Sequence, residues 1–220
     1  LPPEEKREIM EFDKSVHELD EWTRAVRAYY YHRKSHFESL PDTRNEIIFL
    51  GNSITDNAEW SELFGNPDVK NRGIGGDDTD GVLERLEEVV RSEPEKIFLM
   101  IGTNDLSAGK TVEQIVSNYR LILRRIGEAS PGTEIFIQSI LPTDDAVHIH
   151  RSNSDIMQIN KELQRIAREQ GLTYIDLFTP FATGENKLDP DYSLDGLHLN
   201  GDGYLLWKEM VGKYVGGQSQ

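Results

Sequence analysis

Cysteine is absent from the 220-residue chain, which excludes disulfides, thiolate zinc sites and a cysteine nucleophile, yet leaves the redox compartment open. Long hydrophobic runs are absent too: none approaches the ~20 apolar residues of a bilayer-spanning helix. Basic residues are scarce, with 24 Lys and Arg against 39 Asp and Glu and a formal charge of −15. A field of that sign repels phosphate backbones and anionic lipid surfaces, so neither nucleic acid nor membrane insertion is expected. There is no internal repeat or low-complexity linker, and a chain of this length folds most simply as one core. It begins at Leu1 rather than Met, consistent with removal of a signal peptide or with trimming; the expectation is a periplasmic or secreted protein, with the cytoplasm as alternative.

What is present centres on Ile47-Ile48-Phe49-Leu50-Gly51-Asn52-Ser53. A short apolar run stops at a glycine turn and then offers a hydroxyl, one way to expose a nucleophile at the carboxyl edge of a parallel sheet. Serine is a weak nucleophile and needs a base, an orienting acid and oxyanion donors. Asp195 and His198, three residues apart on a turn near the C-terminus, supply an acid and an imidazole. Gly73-Ile74-Gly75-Gly76 and Gly102-Thr103-Asn104-Asp105 each follow an apolar run. The backbone N–H groups of Ser53 and Gly75, with the Asn104 amide, are the expected oxyanion donors.

Strands are expected near 46–50, 68–71, 96–101, 134–140 and 172–176. Helices are expected at 59–64, 79–90, 111–129, from about 153 to Gly171, and 202–214. Before them, residues 4–39 place Ile9, Phe12, Val16, Leu19, Trp22, Val26 and Tyr29 or Tyr30 on one stripe of a long helix. Its Tyr29-Tyr30-Tyr31-His32 end reads first as packing surface, with sugar stacking or a homodimer contact as alternatives. Alternating strands and helices define an α/β sandwich with a five-stranded, mainly parallel sheet. The loops after its first three strands would bring Ser53, Gly75 and Asn104 to one edge.

Each residue has a plainer explanation. Ser53 alone is a helix cap, Asn104 a turn residue, and Asp195 with His198 a surface turn. All must hold together for the chemical reading to fail. A metal-dependent phosphohydrolase using Asp56, Asp77 and Asp105 is one rival, and a non-catalytic sugar-binding module is another. His148 and His150, with Asp144 and Asp145, read as a solvated loop in preference to a metal site. Thr55 stands where the α/β-hydrolase elbow needs glycine, and Asp78 occupies the last glycine position of a dinucleotide fingerprint.

Gly51-Asn52-Ser53, Gly73-Ile74-Gly75-Gly76-Asp77, Gly102-Thr103-Asn104-Asp105 and Asp195-Gly196-Leu197-His198-Leu199 resemble, in order, the four blocks of the SGNH hydrolases, or GDSL esterase/lipase family. The resemblance covers about 46–210. It is greatest to the branch of platelet-activating-factor acetylhydrolase catalytic subunits and carbohydrate O-acetylesterases. It implies a flavodoxin-like fold, Ser53 as nucleophile, Asp195 and His198 completing a triad, and Ser53, Gly75 and Asn104 as the oxyanion hole. It also implies short-chain, chiefly acetyl, ester hydrolysis, often on sugars or sialic acid, without cofactor or metal. Asn52 departs from the usual Asp, and an amide keeps similar hydrogen bonds. The extension 1–40 lies outside the resemblance, leaving 41–220 as the hydrolase domain. The loop 142–152 and the segment 181–194 are expected to shape the acyl and leaving-group pockets.

Overall fold

A computed structural model describes residues 20–216. The stretch of the expected N-terminal helix that carries Ile9, Phe12, Val16 and Leu19 lies outside the described residues. Helix α1 spans Glu21–Ser39, started by Asp20, whose side chain accepts the Thr23 N–H. Then follow β1 (Ile47–Gly51), α2 (Ser53–Asp56), α3 (Trp60–Phe64), β2 (Val69–Gly73), α4 (Thr79–Glu84), α5 (Leu86–Val90) and β3 (Lys96–Met100). The chain continues through α6 (Thr103–Ser107), α7 (Val112–Ala129), β4 (Glu134–Gln138), α8 (Asn153–Gln170), β5 (Thr173–Ile175), α9 (Phe178–Phe181) and α10 (Gly201–Val215).

The five strands form one sheet in the order β2-β1-β3-β4-β5, parallel at every pairing. Both faces are covered, which is why β1 and β3 are buried throughout and read as unbroken apolar runs. On one face Phe49, Phe98 and Phe136 share a register across β1, β3 and β4. Their rings stack at 4.7 and 4.5 Å. Trp60 continues the stack on Phe49 at 3.9 Å, and Trp207 of α10 meets Trp60 edge-on while its indole N–H donates to Gln138. On the other face the Ile and Leu side chains of the sheet pack against Ile115, Tyr119 and Ile122 of α7 and Ile156, Ile159 and Leu163 of α8. The period-3.6 stripes of those two helices are the ones expected from the sequence.

The chain leaves β1 outward to β2 and returns across it to β3, so the sheet's switch point lies between β1 and β3. Loops diverging there open a crevice at the carboxyl edge. Three short helices, α2, α6 and α9, were not expected; each is one turn, too short for hydrophobic periodicity to report. The single helix expected over 79–90 is broken at Arg85.

The break has a cause. The fully buried Arg85 guanidinium donates to Asp77 at 2.8 Å, to the carbonyls of Gly51 at 3.1 Å and Arg72 at 2.9 Å, and faces Glu88 at 3.5 Å. Glu88 also pairs with Arg72. One cation thus ties the ends of β1 and β2 to the following loop. Burial pushes the Asp77 carboxyl up to about 6, against the pull of Arg85. Removing Arg85 would leave the buried Asp77 carboxylate without its cation and take a donor from the Gly51 and Arg72 carbonyls. We expect Arg85→Met to cost about 3–5 kcal/mol, read as a lower urea midpoint at unchanged m-value; wild-type stability would show the network to be dispensable.

Candidate active site

The turn after β1 is built by Asn52, whose side-chain oxygen accepts the Ile54 N–H at 3.1 Å. This is the cap for which the more usual Asp would serve, so the substitution keeps the local geometry. Ser53 is the first residue of α2, where a backbone N–H has no acceptor inside the helix. Its hydroxyl lies 3.0 Å from His198 Nε2.

Asp195 and His198 meet because the Asp195 side chain organises its own turn. Oδ1 accepts the N–H groups of Leu197 and His198 at 2.9 and 2.8 Å, leaving Oδ2 to accept from His198 Nδ1 at 2.7 Å. The proton on Nδ1 therefore leaves the Nε2 lone pair facing the Ser53 hydroxyl. Desolvation, the largest single influence on Asp195, works against its charge. Hydrogen bonds from the His198 ring and from the N–H groups of His198 and Leu197 outweigh it, and the carboxyl is held well below the usual range. The turn is braced from outside as well. Ser193 Oγ accepts the Gly196 N–H, and His148 Nε2 donates to the Asp195 carbonyl at 2.8 Å. Asp144 N–H donates to the Gly196 carbonyl. The 142–152 loop is thus bonded to the Asp195 turn, and His148 is part of that bracing.

The β2–α4 loop is fastened to the Ser53 turn by Ile74 N–H donating to the Gly51 carbonyl at 3.1 Å. Here one expected residue changes. Gly75 N–H donates to Asp56 Oδ2 at 3.0 Å, so it is committed to a carboxylate instead of facing an oxyanion. The neighbouring Gly76 N–H has no acceptor among the described residues. Gly76 takes φ +82°, and a Cβ there would collide with Val26 of α1, so glycine is required both by backbone and by contact. Asn104 reaches the same loop: its amide nitrogen donates to the Asp77 carbonyl at 2.8 Å while its oxygen accepts from Arg151 at 3.2 Å. That orients the amide and leaves it a second N–H to give. The arrangement combines a hydroxyl that can lose its proton to an imidazole with N–H donors on adjoining loops.

Asp56 is held from α1 by the Tyr29 hydroxyl at 2.6 Å and Arg33 at 3.1 Å. Burial, then the Asp56 contact, pushes the Tyr29 phenol up to about 12, keeping it a donor. Tyr30 adds a bond from its hydroxyl to the Gly81 carbonyl, and buried Phe37 lies between the guanidinium groups of Arg33 and Arg72. The tyrosine-rich end of α1 therefore bonds to the site's loops through the hydroxyls of Tyr29 and Tyr30, but Tyr29 and Tyr31 remain exposed and Trp22 is 77% exposed, a departure from the expected packed stripe. Arg33 and Gly76 were not expected in these roles; Asp56 was expected only as part of the metal rival, Tyr29 only in the packing or sugar-stacking stripe, and Arg151 only as a cation that could offset the field for an anionic sialate ester. Only proximity to a motif marks Gly76 in the sequence, and nothing local marks Arg33 or ties Tyr29 and Arg151 to the residues they contact.

The aspartates of the metal rival do not converge. Asp56 faces Tyr29 and Arg33, Asp77 faces Arg85, and Asp105 accepts from Thr79 and pairs with Lys110. Among the described residues no group of three or more His, Asp or Glu side chains could hold a metal ion.

One parallel sheet between two helical layers, with a Ser-His-Asp hydrogen-bond chain at its carboxyl edge, is the frame of a serine hydrolase. The chain belongs to the GDSL-like lipase/acylhydrolase family, whose model matches residues 49–206, and it is a hydrolase of the esterase type. Platelet-activating factor acetylhydrolase IB subunit alpha2 of Rattus norvegicus is 28% identical over 171 residues, covering 74% of this chain and 72% of that one. A platelet activating factor structure from Streptococcus pneumonia superposes with TM-score 0.81 at 27% identity, over 92% of this chain and 99% of that one. An acetylxylan esterase from Geobacillus stearothermophilus shares the fold with TM-score 0.62 at 19% identity, over 81% and 98% of the two chains.

If α1 holds the glycine loop through Asp56, loosening that link should slow ester hydrolysis, since sub-ångström misplacement of donors is costly. Asp56→Ala is expected to lower kcat on 4-nitrophenyl acetate about 10- to 100-fold, and Tyr29→Phe by several-fold. Wild-type kcat in Asp56→Ala would show the loop to be self-supporting.

Proposed function

We propose that this hydrolase removes short acyl groups, foremost acetyl, from a carbohydrate ester, with Ser53, His198 and Asp195 as its catalytic triad. The observation that carries the reading is the unbroken hydrogen-bond chain from Ser53 Oγ through His198 to Asp195. Ser53 attacks the ester carbonyl as His198 Nε2 takes its proton, and Asp195 stabilises the imidazolium. The N–H groups of Ser53 and Gly76, with the Asn104 amide, receive the charge that develops on the carbonyl oxygen. Collapse expels the alcohol, protonated by His198, and leaves an acetyl-Ser53 ester. A water molecule, deprotonated by the same imidazole, then releases acetate.

Acetyl as the acyl group is supported by the names of the relatives, since an acetylhydrolase and an acetylxylan esterase share that group and differ in the alcohol. The carbohydrate draws its support from the second of these alone.

Because the Asp195 carboxyl is held below its ordinary value of 3.8, its ionised form persists as pH falls. The same depression fixes the sign for stability: the Asp195 contribution is present above 3.8 and lost as pH falls below it. Asp195→Asn should therefore reduce turnover by about 10⁴-fold and soften the fall in urea midpoint below pH 3.8.

The direct test is 4-nitrophenyl ester hydrolysis from acetate to octanoate, with and without EDTA, followed by acetate release from acetylated xylo-oligosaccharides. The expected result is greatest activity on acetate, abolished by Ser53→Ala and indifferent to EDTA. Asn104→Ala should cost about 10²–10³-fold in kcat. Activity that survives Ser53→Ala but not EDTA would replace this reading with the metal hydrolase.

A further inference from the structure

The loop between β4 and α8 that braces the Asp195 turn also carries Arg151. Its backbone is fixed on both sides, the N–H donating to the His148 carbonyl at 2.8 Å and the carbonyl accepting the Thr143 hydroxyl at 2.9 Å. A guanidinium has five N–H donors. Here one nitrogen reaches Asn104 Oδ1 at 3.2 Å, while the Nε is buried with no acceptor. Arg151 makes no ion pair with a described residue, in contrast to Arg33, Arg72 and Arg85, each paired with a carboxylate. Neighbouring acids are otherwise engaged. Asp144 accepts the Ala146 N–H and faces Lys187, Asp145 accepts the Asn153 N–H, and Asp195 serves His198.

In a chain with 39 acidic residues against 24 basic ones, a half-buried guanidinium left without a carboxylate beside Asn104 needs explaining. Burial lowers its affinity for the proton with no counter-charge to offset the effect. A buried donor without an acceptor is costly unless a ligand or water supplies one, and the guanidinium fork matches a carboxylate in geometry as well as charge. Resting on the esterase reading above, we propose that Arg151 recognises a carboxylate on the alcohol part of the ester, so that the preferred substrate is an acetylated acidic sugar or a comparable anionic acetyl ester. An acetyl group has no room for the charge, which places it on the alcohol. The overall charge of −15 repels such a substrate at long range, so selectivity comes from the short-range contact.

The test compares acetate release from 3- and 4-acetoxybenzoate with release from the matched neutral amides, 3- and 4-acetoxybenzamide. In the wild type at least one acid should exceed its amide in kcat/KM by about 10- to 100-fold, mainly through KM, the range of a charged hydrogen bond. Arg151→Gln should bring the ratio towards one or invert it, and Arg151→Lys, which keeps the charge without the fork, should retain part of it. Arg120→Gln makes the same change in net charge at an exposed pair remote in sequence and should preserve the ratio. Amides preferred throughout by the wild type, or an acid preference that survives Arg151→Gln, would overturn the inference. So would Arg151→Gln and Arg151→Lys lowering kcat equally on acid and amide at unchanged ratio, which is the signature of a residue that only orients Asn104. In each of those outcomes Ser53-dependent turnover continues and the esterase reading stands; absence of Ser53-dependent turnover on acids and amides alike would overturn both.

Discussion

The end of β1 is the constraint on which the rest of the molecule depends. The Gly51 carbonyl accepts both Ile74 N–H and the Arg85 guanidinium, and a Cβ at Gly51 would run into Thr55 and the Met100 carbonyl. Strand, turn and adjoining loop thus share one small volume. A buried cation satisfies two strand-end carbonyls and two carboxylates together, so the position of Ser53 is set by the core, with little freedom left to the loop itself. Catalysis by pre-aimed donors requires such rigidity, because their advantage over water lies in needing no reorganisation during the reaction.

The N-terminal helix extends that principle. Residues before 40 lie outside the family match, which begins at 49, yet Tyr29 and Arg33 hold the carboxylate that holds Gly75. Val26 packs where a side chain at Gly76 would be. A segment ahead of the family match thus secures the loop beside Ser53. With the Gly75 N–H occupied by Asp56, the Gly76 amide is the neighbouring donor that the proposed mechanism uses.

Charge is handled by pairing at short range despite the acidic surface. Asp77, Glu88 and Asp105 are buried and each meets Arg or Lys. Asp195 is stabilised by two backbone N–H groups and the imidazole. Against that background Arg151, beside Asn104, makes no ion pair with a carboxylate among the described residues.

Much of this was legible in the chain. Apolar runs ending in glycine located β1 and β3 within one residue. The 3.6-residue stripes located α7, and the Gly171 stop located the end of α8, because local periodicity and capping report burial that neighbours along the chain already encode. Ser53, Asn104, Asp195 and His198 stood out because each sits at the end of an apolar run or on a turn, and the Asp195 turn closes on itself over three residues. What sequence alone could not supply were contacts between distant segments: Tyr29 on Asp56, Arg85 breaking a helix to reach Gly51, Arg151 on Asn104, and the Gly75 N–H on Asp56. Those follow from which hydrogen-bond partners remain free once strands 20 to 50 residues apart lie side by side, and only the tertiary structure decides that.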